Sequence, residues 1–273
     1  MGYVRGSYYK QQRVNLLKSQ KDSLIRDIVC SRRKLLPKLG TRKLYKLIKP
    51  DLIAVGIKCG RDKLFGVIRE NGLLIKPRRQ YIKTTNSKHW MKKYPNQIKQ
   101  ISIDRPERVW VSDITYIKTE EGNCYLSLIT DAYSRKIMGY NVSDSMSTSE
   151  TIKALQMAIR NRRYAYSALI HHSDRGLQYC SYEYVRLAQE NKIKMSMTEQ
   201  SDPYENALAE RMNRTIKEEF CLDRTLKNKQ QVYKTVEEAI ALYNNTRPHL
   251  ALSYNTPDYV HKKNPVLRAS GDC

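Results

Sequence analysis

The sequence predicts an α/β protein, a mixed sheet with flanking helices, preceded by a small all-α module. Three observations carry this. Residues 1–74 show only helical periodicity, the chain past Pro106 reads as strands followed by alternating helices and strands, and the charge divides between the two parts. Of 273 residues, 50 are Lys or Arg and 27 are Asp or Glu, a formal charge of +23. Residues 1–100 hold 26 of the basic and 5 of the acidic residues, a net of +21, which leaves +2 for the remainder. Charge so concentrated suits a polyanionic partner, and the first segment reads as a nucleic-acid binder. A basic solvated face is the alternative, and charge does not separate DNA from RNA.

From Gln11 to Leu36 the apolar residues Val14, Leu17, Leu24 and Ile28 recur at helical spacing. A second helix is expected with Thr41 as N-cap before Leu44, Leu47 and Ile48. A third spans Arg61 to Glu70, with Leu64, Phe65 and Ile68 on one side and Asn71-Gly72 as its stop. Arg42, Lys43, Lys46, Arg61, Lys63 and Arg69 lie outside, compatible with a helix-turn-helix laid on phosphates, although any small helical bundle gives this pattern. Residues 75–104 lose periodicity and carry Lys76, Arg78, Arg79, Lys83, Lys88, Lys92, Lys93 and Lys99 with Tyr81, Trp90 and Tyr94 interleaved. This reads as a basic linker tracking a nucleic-acid backbone. The expected organisation is therefore 1–74 basic helical module, 75–104 basic linker and 105–273 mixed-sheet domain.

Val109 to Ile117, Tyr125 to Thr130 and Lys136 to Val142 read as three strands joined at Glu121-Gly122-Asn123 and at Asp131 to Arg135, an antiparallel meander. Ser147 and Glu150 form a capping box that opens a helix with Ile152, Leu155 and Ile159 on its buried face. A strand from Ala168 to Ser173, a helix near 182–190, a strand from Ile193 to Met197 and two final helices complete a mixed sheet with helices packed on it.

Three acids stand in settings wrong for acids. Asp113 sits mid-strand and shares a face with Val109, Val111, Thr115 and Ile117, where a carboxylate is costly unless something meets it. Asp174 follows a strand end, just before Arg175-Gly176, where side chains project into a crevice. Glu210 lies on a helix that Asp202 can cap, Pro203 can open and Glu205 can support, which puts it about two turns inside. On that helix Leu208, Met212, Ile216 and Phe220 form the core stripe, while Asn206, Glu210, Asn213, Arg214 and Lys217 line a polar face. Singly, Glu210 is explained by a solvated face and Asp174 by a turn. Together the three can converge on two divalent ions that assist an in-line displacement at a phosphodiester.

Other chemistries find less support. His171 and His172 adjoin on a strand and point to opposite faces, so they read as one packed and one site-flanking histidine. Gly-rich phosphate loops, GxSxG and HExxH motifs are missing from the sequence. Six cysteines without a CxxC pair read as reduced, mostly buried thiols. With no run of 18 apolar residues and no signal-peptide core, the expectation is a cytoplasmic protein without membrane contact.

Trp110-x-x-Asp113-Ile-Thr-Tyr116, His172-Ser-Asp174-Arg-Gly-x-Gln-Tyr179 and Tyr204-x-Asn206-Ala-x-x-Glu210 resemble the three acidic motifs of the DDE transposase and retroviral integrase superfamily. The 35 residues between Asp174 and Glu210 match the spacing by which that superfamily is labelled. Tyr243-Asn-Asn-Thr-Arg-Pro-His249, with Leu252, Tyr254 and Pro257, resembles the closing motif of the insertion-sequence-three family's downstream-frame (OrfB-type) catalytic subunits. The resemblance covers about residues 40–260 and is strongest after 105. Pro203-Tyr-Glu205-Asn replaces the more usual Cys-Tyr-Asp-Asn, and Ser112 stands where Thr is common.

The resemblance implies an RNase H-like fold and catalytic, metal-binding roles for Asp113, Asp174 and Glu210 with Mg²⁺, or Mn²⁺ as substitute. It implies cleavage and strand transfer of double-stranded DNA, a homo-oligomer on DNA, and an upstream-frame (OrfA-type) partner or fusion. The setting would be the bacterial cytoplasm, with the protein on the nucleoid when bound to DNA. Lys217 matches a basic position near the DNA end. Arg175, Asn206 and Arg214 beside the acids, and Arg42, Lys43, Arg61, Lys63, Arg78 and Arg79 in the N-terminal part, are the further expected DNA contacts.

Overall fold

The computed structural model describes residues 5–75, 90–99, 101–165, 168–199 and 205–263. The chain divides into two compact units, residues 1–79 and 80–273, and the break falls within the stretch read as a linker.

In the first unit α1 (Arg5–Leu35), α2 (Thr41–Ala54) and α3 (Arg61–Glu70) pack together around Ile25, Val29, Leu44, Ile48, Leu52, Leu64 and Ile68. The buried stripe of α1 differs from the expected one, since Val14, Leu17 and Leu24 are exposed. At 1.5 Å per residue α1 is roughly 46 Å long against roughly 21 Å for α2, so its first half outruns its partners. Thr41 is not the N-cap of α2: Gly40 is, and Thr41 is buried in the first turn. Both α2 and α3 close on a left-handed glycine, Gly56 and Gly72, with Ile57 N–H donating to Leu52 O at 2.9 Å and Leu73 N–H to Ile68 O at 2.8 Å. Arg42, Arg61 and Lys63 are exposed and Lys43 is half-buried. Arg78 and Arg79 lie outside the described residues.

The second unit carries β1 (Val109–Thr119), β2 (Gly122–Asp131), β3 (Ile137–Ser143), α4 (Thr148–Arg160), β4 (Leu169–Ser173), α5 (Leu177–Cys180), α6 (Tyr182–Glu190), β5 (Ile193–Met197), α7 (Ala207–Glu219), α8 (Lys229–Asn245) and α9 (Pro257–Lys262). The sheet order is β3-β2-β1-β4-β5. The first three strands form the expected antiparallel meander, and β4 and β5 add in parallel to β1. Period-two alternation sorts β1 between two cores. Trp110 joins Ile129, Met138, Leu155, Leu169, Tyr179 and Tyr184 under α4 to α6, whereas Val109 and Val111 join Ala132 and Ala209 under α7. Asp113 shares the second face. That alternation directs the acid toward α7.

Two expectations for α4 are corrected. Its buried face is Thr151, Ala154, Leu155 and Ala158, with Ile152 and Ile159 at the margins. Ala154 and Ala158 lie against Gly139 of β3, and only three such small residues let helix and strand backbones approach this closely. The capping box does not form, because the Glu150 carboxylate accepts from Asn141 Nδ2 at 2.9 Å and Lys153 Nζ at 2.7 Å instead of the N-cap backbone. Among the described cysteines only Cys124 and Cys180 are buried.

The closing motif is a clasp. Arg247, buried, donates to both carboxylate oxygens of Glu219 at 2.6 and 2.7 Å, and Asn244 exchanges hydrogen bonds with the backbone of Ile137 at 3.0 Å each. It fixes α8 to α7 and to β3. A second buried network holds α9. His261 donates Nε2–H to Glu107 Oε1 at 3.2 Å and Nδ1–H to Ser134 Oγ at 3.0 Å, while Ser134 donates to Asp131 Oδ1 at 2.7 Å. Burial opposes protonation of His261, but Asp131 and Glu107 outweigh it and raise its pKa. A raised histidine contributes stability fully present below about 6.5 and lost as pH rises through its folded value. The melting temperature gap between wild type and His261→Gln is expected to be widest at or below pH 6.5 and to narrow above it. A gap independent of pH would show that His261 is neutral.

Among the described residues no helix is long and apolar enough to cross a membrane.

Candidate active site

Ser112 of β1 and Ser173 of β4 form the last paired rung of these two adjacent parallel strands, and Asp113 and Asp174 are the residues that follow them, Asp174 just past the end of β4. Asp113 Oδ1 accepts from the N–H of Ile114 at 2.8 Å, and Oδ2 accepts from Asn213 Nδ2 at 2.9 Å. Asp174 Oδ1 accepts from the N–H of Gly176 at 3.0 Å, a side-chain turn that ends β4 and starts α5. A Cβ on Gly176 would lie 3.0 Å from that oxygen and 3.1 Å from Gln178 Oε1, a tight fit to which those side chains would have to yield.

Burial, then the charge of Asp174, and more weakly Glu210, push the Asp113 carboxyl up to about 7, against the opposing hydrogen bonds of Asn213 and Ile114. Glu210 is exposed, and desolvation and Asp174 raise it as well. These are carboxylates near one another without enough positive charge between them. Hard oxygen donors in this state fit a divalent cation. Asp113 and Asp174 are the adjoining pair and Glu210 stands at the rim. Among the described residues no group of three His, Cys, Asp or Glu is drawn tightly enough to hold one ion by itself.

The helix that carries Glu210 is placed differently from the sequence reading. α7 starts at Ala207 with Asn206 at the N-cap, so Glu210 falls in the first turn rather than two turns inside. Asp202 and Pro203 lie outside the described residues. Glu205 precedes the helix, and its carboxylate accepts from Glu199 N–H at 2.6 Å and lies 3.2 Å from Lys99 Nζ. Asn206, expected on the DNA face, is buried and donates Nδ2–H to Ser112 O at 3.3 Å. Asn206 and Asn213 therefore fasten α7 to β1 at Ser112 and at Asp113 itself. The buried stripe of the helix is Ala209, Met212, Asn213 and Ile216, with Leu208 at its margin.

Lys217, two turns beyond Glu210, is half-buried with Nζ 3.3 Å from Thr115 Oγ1 and 4.6 Å from the centre of the Tyr116 ring. Burial lowers its pKa. Arg214 is exposed and pairs with Glu218 at 2.8 Å, and Arg175 donates Nε–H to Thr198 O at 2.5 Å.

Helical spacing alone puts Asn213 on the polar face and gives it no role, whereas it is buried and bonded to Asp113. Its position three residues after Glu210, on the same helix, was the available signal. His171 is the packed histidine, 3.0 Å from Tyr184 Oη, and burial lowers its pKa to about 3. His172 flanks the site: Nε2–H donates to Glu205 O at 3.1 Å, so Nδ1 accepts from Ser196 Oγ at 2.9 Å. It ties β4 to the residue that precedes the Glu210 helix. His172→Leu should lower turnover roughly tenfold or more with DNA affinity unchanged, and His172→Gln, which keeps a donor at that reach, should restore most of it. Equal losses in both variants would mean packing alone matters.

A mixed five-strand sheet with one acid midway along β1, one just past the end of the adjacent β4 and one on the helix packed against β1 defines an RNase H-like, integrase-type catalytic domain. Family models described as "Integrase core domain" match residues 103–203 and 191–257. The chain is 36% identical over 226 residues to the insertion element IS600 31 kDa protein of Shigella sonnei, covering 82% of this chain and 81% of that protein. It is 31% identical to the transposase for IS629 of Shigella sonnei (82% of this chain, 73% of that protein) and 29% identical to transposase InsF for IS3A of Escherichia coli K12 (78% and 75%). A simian T-cell lymphotropic virus intasome chain, solved with the PP2A regulatory subunit B56 gamma, shares the fold at TM-score 0.51 and 17% identity, over 83% of this chain and 76% of that one. The chain belongs to the insertion-sequence-three family of DDE transposases.

Proposed function

We propose that this transposase cleaves DNA at the ends of its insertion sequence and transfers the cut strand to a target, with Asp113, Asp174 and Glu210 as the D,D-35-E acids. The observation that carries the reading is the Asp113–Asp174 pair, in which burial and then the charge of Asp174 raise Asp113 to about 7. That destabilisation is what a bound cation relieves. Asp113 and Asp174 would hold Mg²⁺, or Mn²⁺ in its place, with Glu210 completing the site from the rim. When bound, the ions polarise the phosphodiester and steady its leaving oxygen. Asn213 and the Ile114 N–H keep the Asp113 oxygens aimed, and His172 and Asn206 hold the start of α7 so that Glu210 stays in reach. In the first step water displaces the 3′ oxygen at the insertion sequence's end. In the second, the freed 3′ hydroxyl attacks a target phosphodiester and displaces a new 3′ oxygen.

In this reading the N-terminal helical unit is a helix-turn-helix that contacts DNA through Arg42, Lys43, Arg61 and Lys63, followed by the basic linker with Arg78 and Arg79. Arg175, Arg214 and Lys217 serve the DNA near the acids. The protein works in the cytoplasm on nucleoid DNA as a homo-oligomer with an upstream-frame (OrfA-type) partner. The test is metal-dependent nicking and joining of a labelled duplex carrying the insertion sequence's own end, with that partner present. Products that appear with Mg²⁺ and vanish with a chelator support the reading. Binding without products in either metal would make the chain a DNA-binding remnant.

A further inference from the structure

We infer that Trp90, Lys92 and Lys93 form a base-stacking contact on the catalytic unit, in which the Trp90 indole takes the face of an unpaired or frayed DNA base. The inference rests on the DNA-acting reading above. Residues 90–94 alternate in what they touch. Met91 and Tyr94 pack on the core cluster beneath α4 to α6, whereas Trp90 is 92% exposed and Lys92 and Lys93 are exposed beside it. Lys92 Nζ lies 5.4 Å from the Tyr94 ring centre, which places one cation over the anchor.

The residues just downstream are bound in place as well. Gln97 N–H donates to Ser196 Oγ at 2.9 Å, its Nε2–H to Met195 O at 3.1 Å, and Lys99 Nζ meets Glu199 at 2.5 Å. The segment is thus a strap on the domain surface with anchors turned inward and the indole turned outward. An indole left in water forgoes the burial that its large apolar surface favours, and the exposed Lys92 and Lys93 that follow it in sequence disfavour an apolar protein partner. No acidic residue occurs between Trp90 and Lys99, and Glu199 and Glu205 meet the strap at its other end, at Asn96 and Lys99. Aromatic face and flanking cations together suit a nucleobase and its phosphates, and transposition exposes single-stranded ends.

The chain has two tryptophans, and Trp110 is fully buried, so emission changes on binding report on Trp90. The full chain is titrated with a fluorescein-labelled duplex bearing a short single-stranded extension, following anisotropy and tryptophan emission together. Emission is expected to be quenched as anisotropy rises, Trp90→Phe to bind within about twofold of wild type, and Trp90→Ala to bind roughly tenfold more weakly. Replacing Lys92 and Lys93 by Ala should lower the salt slope of log affinity by roughly two. Binding with unchanged emission and undiminished affinity in Trp90→Ala overturns the stacking contact and leaves the DNA-acting reading intact. Failure of wild type to bind overturns both. Quenching that follows protein concentration without DNA, and is lost in Trp90→Ala, assigns the surface to self-association and overturns the proposal.

Discussion

Glu210→Gln, Asp113→Asn and Asp174→Asn are each expected to reduce end cleavage and strand transfer by roughly a thousandfold or more, with DNA affinity within about twofold of wild type. The amides keep the shape and remove the charge. Asn at 174 can still accept from the Gly176 N–H, and Asn at 113 from the Ile114 N–H once the Asn213 amide flips to present its oxygen to the new Nδ2, so the local fold should persist. Melting temperatures check that point. Asp113→Asn and Asp174→Asn also remove the repulsion between neighbouring strands and should raise stability slightly without metal.

A pH dependence accompanies this result. Asp113 is held at about 7, above its ordinary value of 3.8, so stability is lost as pH rises from that ordinary value to about 7 and the full cost of ionising it is carried above 7. A cation competes with that proton. The rise in melting temperature given by Mg²⁺ should therefore be larger at pH 8 than at pH 6, and should disappear in Asp113→Asn. A metal effect of equal size in that variant would place the ion elsewhere. Retained cleavage in any one acid variant would remove that residue from the site.

Gly139→Ala is expected to destabilise the second unit by about 3 kcal/mol or more and to lower its melting temperature by about 10 °C. An added Cβ would lie 2.2 Å from Ala154 O, 2.6 Å from Ala158 N and 2.9 Å from Ala158 Cβ. Two of these atoms are helix backbone and cannot rotate away. α4 must lift from the sheet and open the contacts of Met138, Leu155 and Ile129. Gly66→Ala in α3 provides the opposite sign, because nothing lies within 4 Å of that Cβ and helix propensity favours Ala by roughly 1 kcal/mol. Stability unchanged in Gly139→Ala would contradict the close packing of α4.

The chain by itself determined the class of fold and singled out the three acids proposed for the site. The boundaries of α3, α6 and β5, the meander and the placement of Asp174 after a strand follow from period and punctuation, which are local properties. Tertiary structure decided where α7 begins and what surrounds Asp113. The Asp202-Pro203-Glu205 sequence satisfies the local rules for a helix start, yet Glu205 is drawn to Lys99 and Glu199 N–H, partners about a hundred and six residues away in the chain respectively. Helix capping competes with such contacts at similar strength, so a local rule cannot settle the start. The Asn213 hydrogen bond to Asp113, the His172 tie to Glu205 and the approach of α4 to Gly139 each join residues remote in sequence. Nothing local encodes them, because they exist only once the sheet and its two helical layers have come together.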